Sequence, residues 1–305
     1  MATSEPSSEL SLDLPGVSIV VPVRDGAGEI GRLLASLRDL DYPADRLEVI
    51  VVDNGSRDGT AEAAARFPVT VLHEPVPSSY AARNRGARGA RFPWVAFTDS
   101  DCAADPGWLK RLMAPPLPHS VGAVVGEVVA LEGTTTVQRL TERYGLMRHA
   151  VTLPHKELPC FSTANVAVRR DLLLRLQGFR QDVRFFGDMD LSWRLQIDGG
   201  ATLLFRPEAK IFHRHRRTFG ALWRQGVQHG RGVAFMKATY PDRYHIRAGE
   251  QVGRLFGVAR AAGGAIFPDR HGPLQDRLLA PVFLAFWYGG LLAGYLRGPA
   301  WTEGR

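Results

Sequence analysis

Apolar residues run unbroken through "VSIVVPV" (Val17–Val23) and "LEVIVVD" (Leu47–Asp53), and more briefly through "VTVLH" and "WVAF". Continuous β-branched runs predict strands buried on both faces, because a half-exposed strand would alternate apolar with polar. Between these runs the period changes. Ile30, Leu33, Leu34 and Leu37 recur at helical spacing, "SRDGTAEAAARF" reads as a turn and helix, and "SSYAARNRGARGA" as an alanine-rich helix. Strands and helices alternating at the spacing of βαβ units predict an α/β chain with a mostly parallel central sheet flanked by helices.

Beyond Leu109 the pattern loosens. Val121–Leu131 predicts a strand, Thr135–Ala150 a helix, and "ANVAVRR" a short strand. "GDMDLSWRLQIDGG" opens a helix that ends at a glycine pair. "ATLLFRPEAKIFHRHRR" holds two short strands, and "TFGALWRQGVQHGRGVAFM" is a further helix. From Arg254 apolar and arginine-rich segments alternate, and the last of them, Leu278–Leu296, carries no charge. As a helix it spans about 28 Å, close to the ~30 Å hydrocarbon core of a bilayer. Pro281 and the Gly289-Gly290 pair weaken a straight span, so a monotopic or re-entrant membrane contact is expected, with a buried core helix as the alternative. Residues 1–16 are polar and acidic with no apolar core, which predicts a disordered leader rather than a signal peptide.

Composition adds bounds. With 305 residues, 45% of them hydrophobic, the chain can bury one large core or two modest ones. Its net charge of +7 is an arginine charge, since Lys110, Lys156, Lys210 and Lys237 are the only lysines. Arginine suits bidentate recognition of phosphate or carboxylate. A nucleic-acid-binding protein is one reading of that excess, but no aromatic-interleaved nucleic-acid module accompanies it, and no such partner is expected. Cys102 and Cys160 lie far apart without metal-ligand spacing, which predicts free thiols in a reducing, cytoplasmic setting.

Two sets of residues carry candidate chemistry. Gly26, Gly28 and Gly31 form G-x-G-x-x-G between a strand and a helix, and Asp53 closes the next strand, as in an NAD(P)-binding oxidoreductase. Arg24 and Asp25 delay the first glycine past the strand end, and this reading leaves Asp99 and Asp101 without a use. The second set gathers at the carboxyl ends of the strands, where an open α/β sheet binds ligands: Pro22-Val23-Arg24, Asp53-Asn54-Gly55-Ser56 and Asp99-Ser100-Asp101. Two carboxylates that close raise each other's pKa, and a hard divalent cation shared with a diphosphate relieves the repulsion. Asp53 can hydrogen-bond a base or ribose, and Arg83 and Arg85 can neutralise phosphate.

Taken in order, "VSIVVPVRDGAGEIGRLLASL", "EVIVVDNGSRDGT", "YAARNRGARGA" and "FTDSDC" resemble the nucleotide-binding half of family 2 glycosyltransferases, with similarity over roughly Val17 to Arg231. The resemblance implies a GT-A fold, a Rossmann-like domain over residues 17–240, divided into a nucleotide-sugar half (17–110) and an acceptor half (111–240). A helical, membrane-associated region (241–305) follows. It implies a nucleotide-diphosphate sugar donor touching Pro22, Val23, Arg24, Asp53, Arg83, Asn84 and Asp99, and a hydroxyl acceptor on a glycan, lipid or small molecule. It implies Mn2+ or Mg2+ on Asp99 and Asp101, completed by a histidine for which "IFHRHRR" offers His213 first and His215 second. The family's Gly-Glu-Asp-x-Asp-Leu segment matches "FGDMDL", which makes Asp188 the general base of an inverting transfer and puts Gly187 where Glu is usual. Asp190, Trp193 and Arg194 are then expected to orient the acceptor. Processive members carry Gln-x-x-Arg-Trp. Here Gln228 and Arg231 keep the spacing while Gly232 replaces the tryptophan, so a single-transfer enzyme, peripheral on the inner face of the cell membrane, is expected.

Overall fold

The computed structural model describes residues 14–131, 133–154, 158–244 and 273–301. Four parallel strands, β1 (Val17–Val23), β2 (Leu47–Asp53), β3 (Thr70–His73) and β4 (Trp94–Phe97), lie in the order β3-β2-β1-β4. Helices α1 (Ala27–Arg38), α2 (Thr60–Ala64) and α3 (Ser79–Gly89) connect them. Neighbouring residues point to opposite faces, and both faces are buried. Ile19, Val21 and Val51 pack with Leu33 and Leu37 of α1, whereas Val20, Ile50 and Val52 pack with Ala82 and Ala87 of α3. The unbroken apolar runs follow from that double burial.

The sheet then turns antiparallel through β7 (Val166–Arg169) and β6 (Val121–Ala130) and ends in β8 (Thr202–His213), parallel to β6, and β5 (Cys102–Ala104). β5 follows β4 in the chain but pairs at the opposite edge. The sheet therefore curls, and the Ala104 N–H donates to Ser36 Oγ of α1 at 2.9 Å. Helices α4 (Trp108–Met113), α5 (Thr136–Arg143), α6 (His149–Thr152), α7 (Arg170–Arg175), α8 (Gly187–Ile197), α9 (Phe219–Thr239) and α10 (Leu274–Leu296) complete the described residues.

Several expectations need correction. The helix expected over Thr135–Ala150 is two helices, broken at Gly145, which takes the left-handed conformation (φ +62°). The two short strands expected before His213 are one strand with a bulge: β6–β8 pairing jumps from Gly126↔Arg206 to Glu127↔Lys210. Pro207 has no N–H for a ladder and sits in the bulge. Asn165 secures it, donating from Nδ2 to Ala209 and Glu127 carbonyls, both at 2.8 Å. β5, α4 and α7 were not expected. Leu14, inside the expected leader, is buried, and its carbonyl accepts from Arg46; residues 1–13 of that leader lie outside the described residues, as does most of 241–273.

α10 packs its Phe283 and Trp287 side against α9 and α5. Glycines four apart on each helix, Gly226 and Gly230 on α9 and Gly290 and Gly294 on α10, face the partner backbone. A Cβ at Gly226 would lie 2.6 Å from the Trp287 carbonyl, and one at Gly230 would meet the Leu291 carbonyl. Asp276, 3% exposed, anchors the start of α10 through a bidentate pair with Arg139, both contacts at 2.6 Å. Because the added atom at Gly230 meets backbone, the helices must part to admit it. Gly230→Ala is expected to lower stability by about 1–3 kcal/mol in a denaturant titration. Gly220→Ala on the same helix, where the nearest atom is 3.9 Å away, should be neutral or slightly stabilising. Equal midpoints for the two variants would contradict the close packing.

Candidate active site

The carboxyl ends of β1, β2 and β4 meet at one edge, tied together by the loops that leave them. Asp53 closes β2, where its Oδ1 accepts the Ser56 N–H at 3.2 Å and its Oδ2 lies 3.4 Å from His73 Nδ1. Pro22 and Val23 are buried, and the Val23 carbonyl already accepts from the Asn54 N–H, whereas Arg24 is half exposed beside Asp25. The dinucleotide reading fails on the same geometry. The Gly26 and Ala27 N–H groups at the start of α1, needed to cradle a pyrophosphate, donate to Thr60 Oγ1 and Asp58 Oδ2. Gly28 and Gly31 have open space around them, so nothing approaches closely enough to require glycine.

Past β4, Asp99 and Asp101 diverge. Asp99 accepts from Arg83 Nη2 at 2.5 Å, and Arg83 is itself only 5% exposed on α3 with a buried Nε that has no partner among the described residues. Asp101 lies 3.5 Å from Nε2 of His213, the last residue of β8. The β5–β8 register places Cys102 opposite His213, and ligand atoms of Asp101, Cys102 and His213 all fall within 4.8 Å of one another. Asp99, expected as a metal ligand, is outside that group, and its Oδ1 accepts from Arg83 instead. His213 faces Asp101, while His215 lies behind it, 3.3 Å away between the two Nδ1 atoms. Burial pushes the Asp101 carboxyl up, opposed by His213 and reinforced by Asp99, and lowers His213. Burial with the two aspartates also raises the Cys102 thiol, which stays protonated.

Across from this group, α8 begins with Phe186 in the left-handed region (φ +62°) and presents Asp188 in its first turn. Burial raises the Asp188 carboxyl, with Arg83 opposing and Asp99 reinforcing. Arg83 therefore stands electrostatically between Asp99 and Asp188. Gly187 is explained by Tyr80: the tyrosine hydroxyl accepts the Gly187 N–H at 2.9 Å, and a Cβ at Gly187 would lie 2.7 Å from the tyrosine ring. A side chain at Gly187 has no room while Tyr80 is there.

Four expected ligand-contacting residues turn out to face the protein. Both ends of the Asn84 amide bind the backbone of Phe179, accepting its N–H at 2.8 Å and donating to its carbonyl at 2.7 Å. Asp190 is fully buried between Arg194 and the Tyr240 hydroxyl, each at 2.8 Å. Arg194 spends its other nitrogens on the Leu176 and Gly178 carbonyls, and Trp193 is buried against Tyr240 and Tyr244. Tyr80 was missed by sequence reasoning, though its spacing of three from Arg83 places both on one face of α3.

The glycosyl transferase family 2 model matches residues 18–176. The pre-mycofactocin glycosyltransferase of Mycobacterium tuberculosis is 32% identical over 236 residues, 74% of this chain and 48% of its own length, so the chain spans about half of that relative. Glycosyltransferase AglE of Haloferax volcanii is 30% identical over 254 residues, 81% of this chain and 79% of its own. A solved mannosyltransferase of Pyrobaculum calidifontis, in complex with GDP-Man and Mn2+, shares the fold with a TM-score of 0.63 at 22% identity, across 93% of this chain and 87% of that one. With half the chain matched by the family model and a relative covered over most of its length, this chain belongs to the family 2 glycosyltransferases, built on a GT-A fold.

Proposed function

We propose that the enzyme is an inverting, single-transfer glycosyltransferase that moves a sugar from a nucleotide-diphosphate donor to a hydroxyl acceptor. The observation that carries this reading is the placement of Asp101–His213 and Asp188 on the two sides of the Arg83–Asp99 ion pair. The donor lies over the ends of β1, β2 and β4, with Asp53 toward its base and ribose and Arg83 toward its diphosphate. The Pyrobaculum relative, in complex with GDP-Man and Mn2+, supports a nucleotide-sugar donor and a divalent cation. A carboxylate oxygen and an imidazole nitrogen suit Mn2+ or Mg2+, and Asp101 and His213 would hold it, beside the protonated Cys102. When bound, the cation supplies Lewis-acid stabilisation of charge on the leaving diphosphate. Asp188 takes the acceptor proton as its oxygen attacks the anomeric carbon from the face opposite the leaving group. The Phe186 ring fills the space beside Gly232, where processive relatives carry tryptophan, which supports a single transfer.

The same reading places the enzyme on a membrane surface. α10 is the one helix among the described residues long and apolar enough to cross a bilayer, with mean hydropathy 1.5, and its inner side is occupied by α9. Leu274, Leu278, Val282, Phe286 and Leu296 are exposed at helical spacing on its outer side, with Arg224 and Arg297 exposed nearby. A stripe of that kind with basic flanks suits an interfacial contact with anionic lipid.

Asp188→Asn keeps the size of the side chain and removes its basicity. kcat should fall by about 10²–10⁴ with donor affinity little changed; a near-native kcat would leave the base unidentified. Because the carboxylate is the active form and burial raises its pKa, activity should fail, as pH drops, at a higher pH than an exposed aspartate would give.

EDTA should abolish turnover, with recovery on adding Mn2+ or Mg2+, and Asp101→Ala should not recover. Full activity in EDTA would remove the metal from the mechanism.

The full-length chain should sediment with anionic phospholipid vesicles, and replacing Leu278 and Val282 together by glutamate should release it. Equal sedimentation of the two proteins would show that α10 does not make the contact.

A further inference from the structure

We propose that Tyr80 is a positioning residue: its hydroxyl ties the start of α8 to α3 and so sets where Asp188 stands relative to the donor edge. The proposal rests on the reading of Asp188 as the base, but its structural half can be tested apart from that reading.

Helix α8 has no cap from its own chain end. The first N–H groups of a helix find no partner inside it, and a Ser, Thr, Asp or Asn just before the helix commonly accepts one of them. Phe186 occupies that place, has no side-chain oxygen and makes no such bond. Gly187, the first helical residue, is buried, so its N–H needs a partner within the protein. The oxygen comes from α3 instead, where Tyr80 Oη accepts the Gly187 N–H at 2.9 Å. One residue on, Asp188 Oδ1 accepts the Met189 N–H at 3.0 Å, and the Ser192 hydroxyl donates to the Asp188 carbonyl at 2.7 Å. Those two bonds lie within α8 and orient the carboxylate in its own helix, whereas the Tyr80 bond fixes the helix start against another element.

Tyr80 can serve as a fixed point because it is itself held. It is 7% exposed, its ring stacks on Phe179 at 5.6 Å, and Phe97 meets Phe179 edge-on at 5.3 Å. Asn84, one turn further along α3, grips the Phe179 backbone through both ends of its amide. Arg83 lies with its guanidinium carbon 5.9 Å from the Tyr80 ring centre while it pairs with Asp99. One helix thus reaches the donor edge through Arg83 and the base through Tyr80. Burial first, and then the Asp188 charge, raise the phenol's pKa against Arg83 and the Gly187 and Asp188 N–H groups, so it stays protonated. Replacing Tyr80 by phenylalanine therefore removes a hydrogen-bond acceptor without changing the charge of the site.

Tyr80→Phe keeps the ring and its stacking but leaves the buried Gly187 N–H without its acceptor, which lets the start of α8 shift. A displacement on the order of 1 Å in an active site can cost about 10²-fold in rate. kcat should therefore fall by about 10–100-fold, with the donor KM within about twofold of the wild type, because Asp53 and the Arg83–Asp99 pair are untouched. In an Asp188→Asn background the same substitution should cost little further, since a residue that acts through the base has no base left to place. Amide hydrogen exchange of the full chain should quicken at Gly187 and Asp188 in Tyr80→Phe. A folded Tyr80→Phe enzyme with unchanged exchange there overturns the proposal. So does native kcat in Tyr80→Phe while Asp188→Asn is impaired, or a loss that adds in full to that of Asp188→Asn. Faster exchange in Tyr80→Phe beside an Asp188→Asn enzyme of native kcat supports the tie and removes the base reading instead.

Discussion

The Arg83–Asp99 ion pair lets three acidic side chains share one end of the sheet. Asp99, Asp101 and Asp188 come from β4's exit loop and from the start of α8, and the Asp99 charge raises both Asp101 and Asp188. Arg83 sits between two of them with its guanidinium almost fully buried, pairing with Asp99 and opposing the rise in Asp188. Arginine suits this position because its charge cannot be titrated away by burial. Removing one partner of a buried pair costs more than the pair contributes, since the other charge is left unscreened. Asp99 is therefore committed to holding the site, and Asp101 is left free to face His213.

Around that pair, close approach is gained wherever a side chain is missing. Tyr80 occupies the space that a residue at Gly187 would fill and receives its N–H, Phe186 fills the space beside Gly232, and the Asn84 amide lies where a Cβ at Gly178 would go. Gly178 also has positive φ, so glycine is required there for conformation as well as for space. The larger residue in each pair is rigid or fully hydrogen-bonded. Asp188 and its neighbours are thus placed by packing rather than by the propensity of α8, whose first residue has a poor helical tendency.

The parallel strands were legible because double burial leaves no polar residue inside them, and the acids at their ends stood out against that background. β5 and α7 were lost for lack of length: three and six residues carry no period. The bulge in β8 was read as a strand break because Pro207 interrupts the pattern in either case. In the site, Asp101, His213 and Asp188 were legible as residue types at strand and helix ends. Asn84, Trp193 and Arg194 were misplaced because α3 and α8 are buried nearly all round, so that sequence spacing gave no inner side to choose. Choosing between His213 and His215 needed the register of β8 against β5, which only pairing supplies.

The helix pair α9–α10 is joined to the start of α8 by stacked rings. Phe186, the residue before α8, meets His229 of α9 edge-on at 5.4 Å, and His229 meets Trp287 of α10 at 4.9 Å. Burial lowers the His229 pKa, so this ring stays neutral and packs as an aromatic body rather than as a charge. Phe186 must hold an unfavourable left-handed backbone for α8 to start where it does, and such strain persists only where surrounding contacts over-determine it. Those contacts come from α9, and α9 is positioned by its glycine seam with α10. The placement of Asp188 therefore depends in part on α10, whose outer side is the apolar stripe proposed to meet lipid.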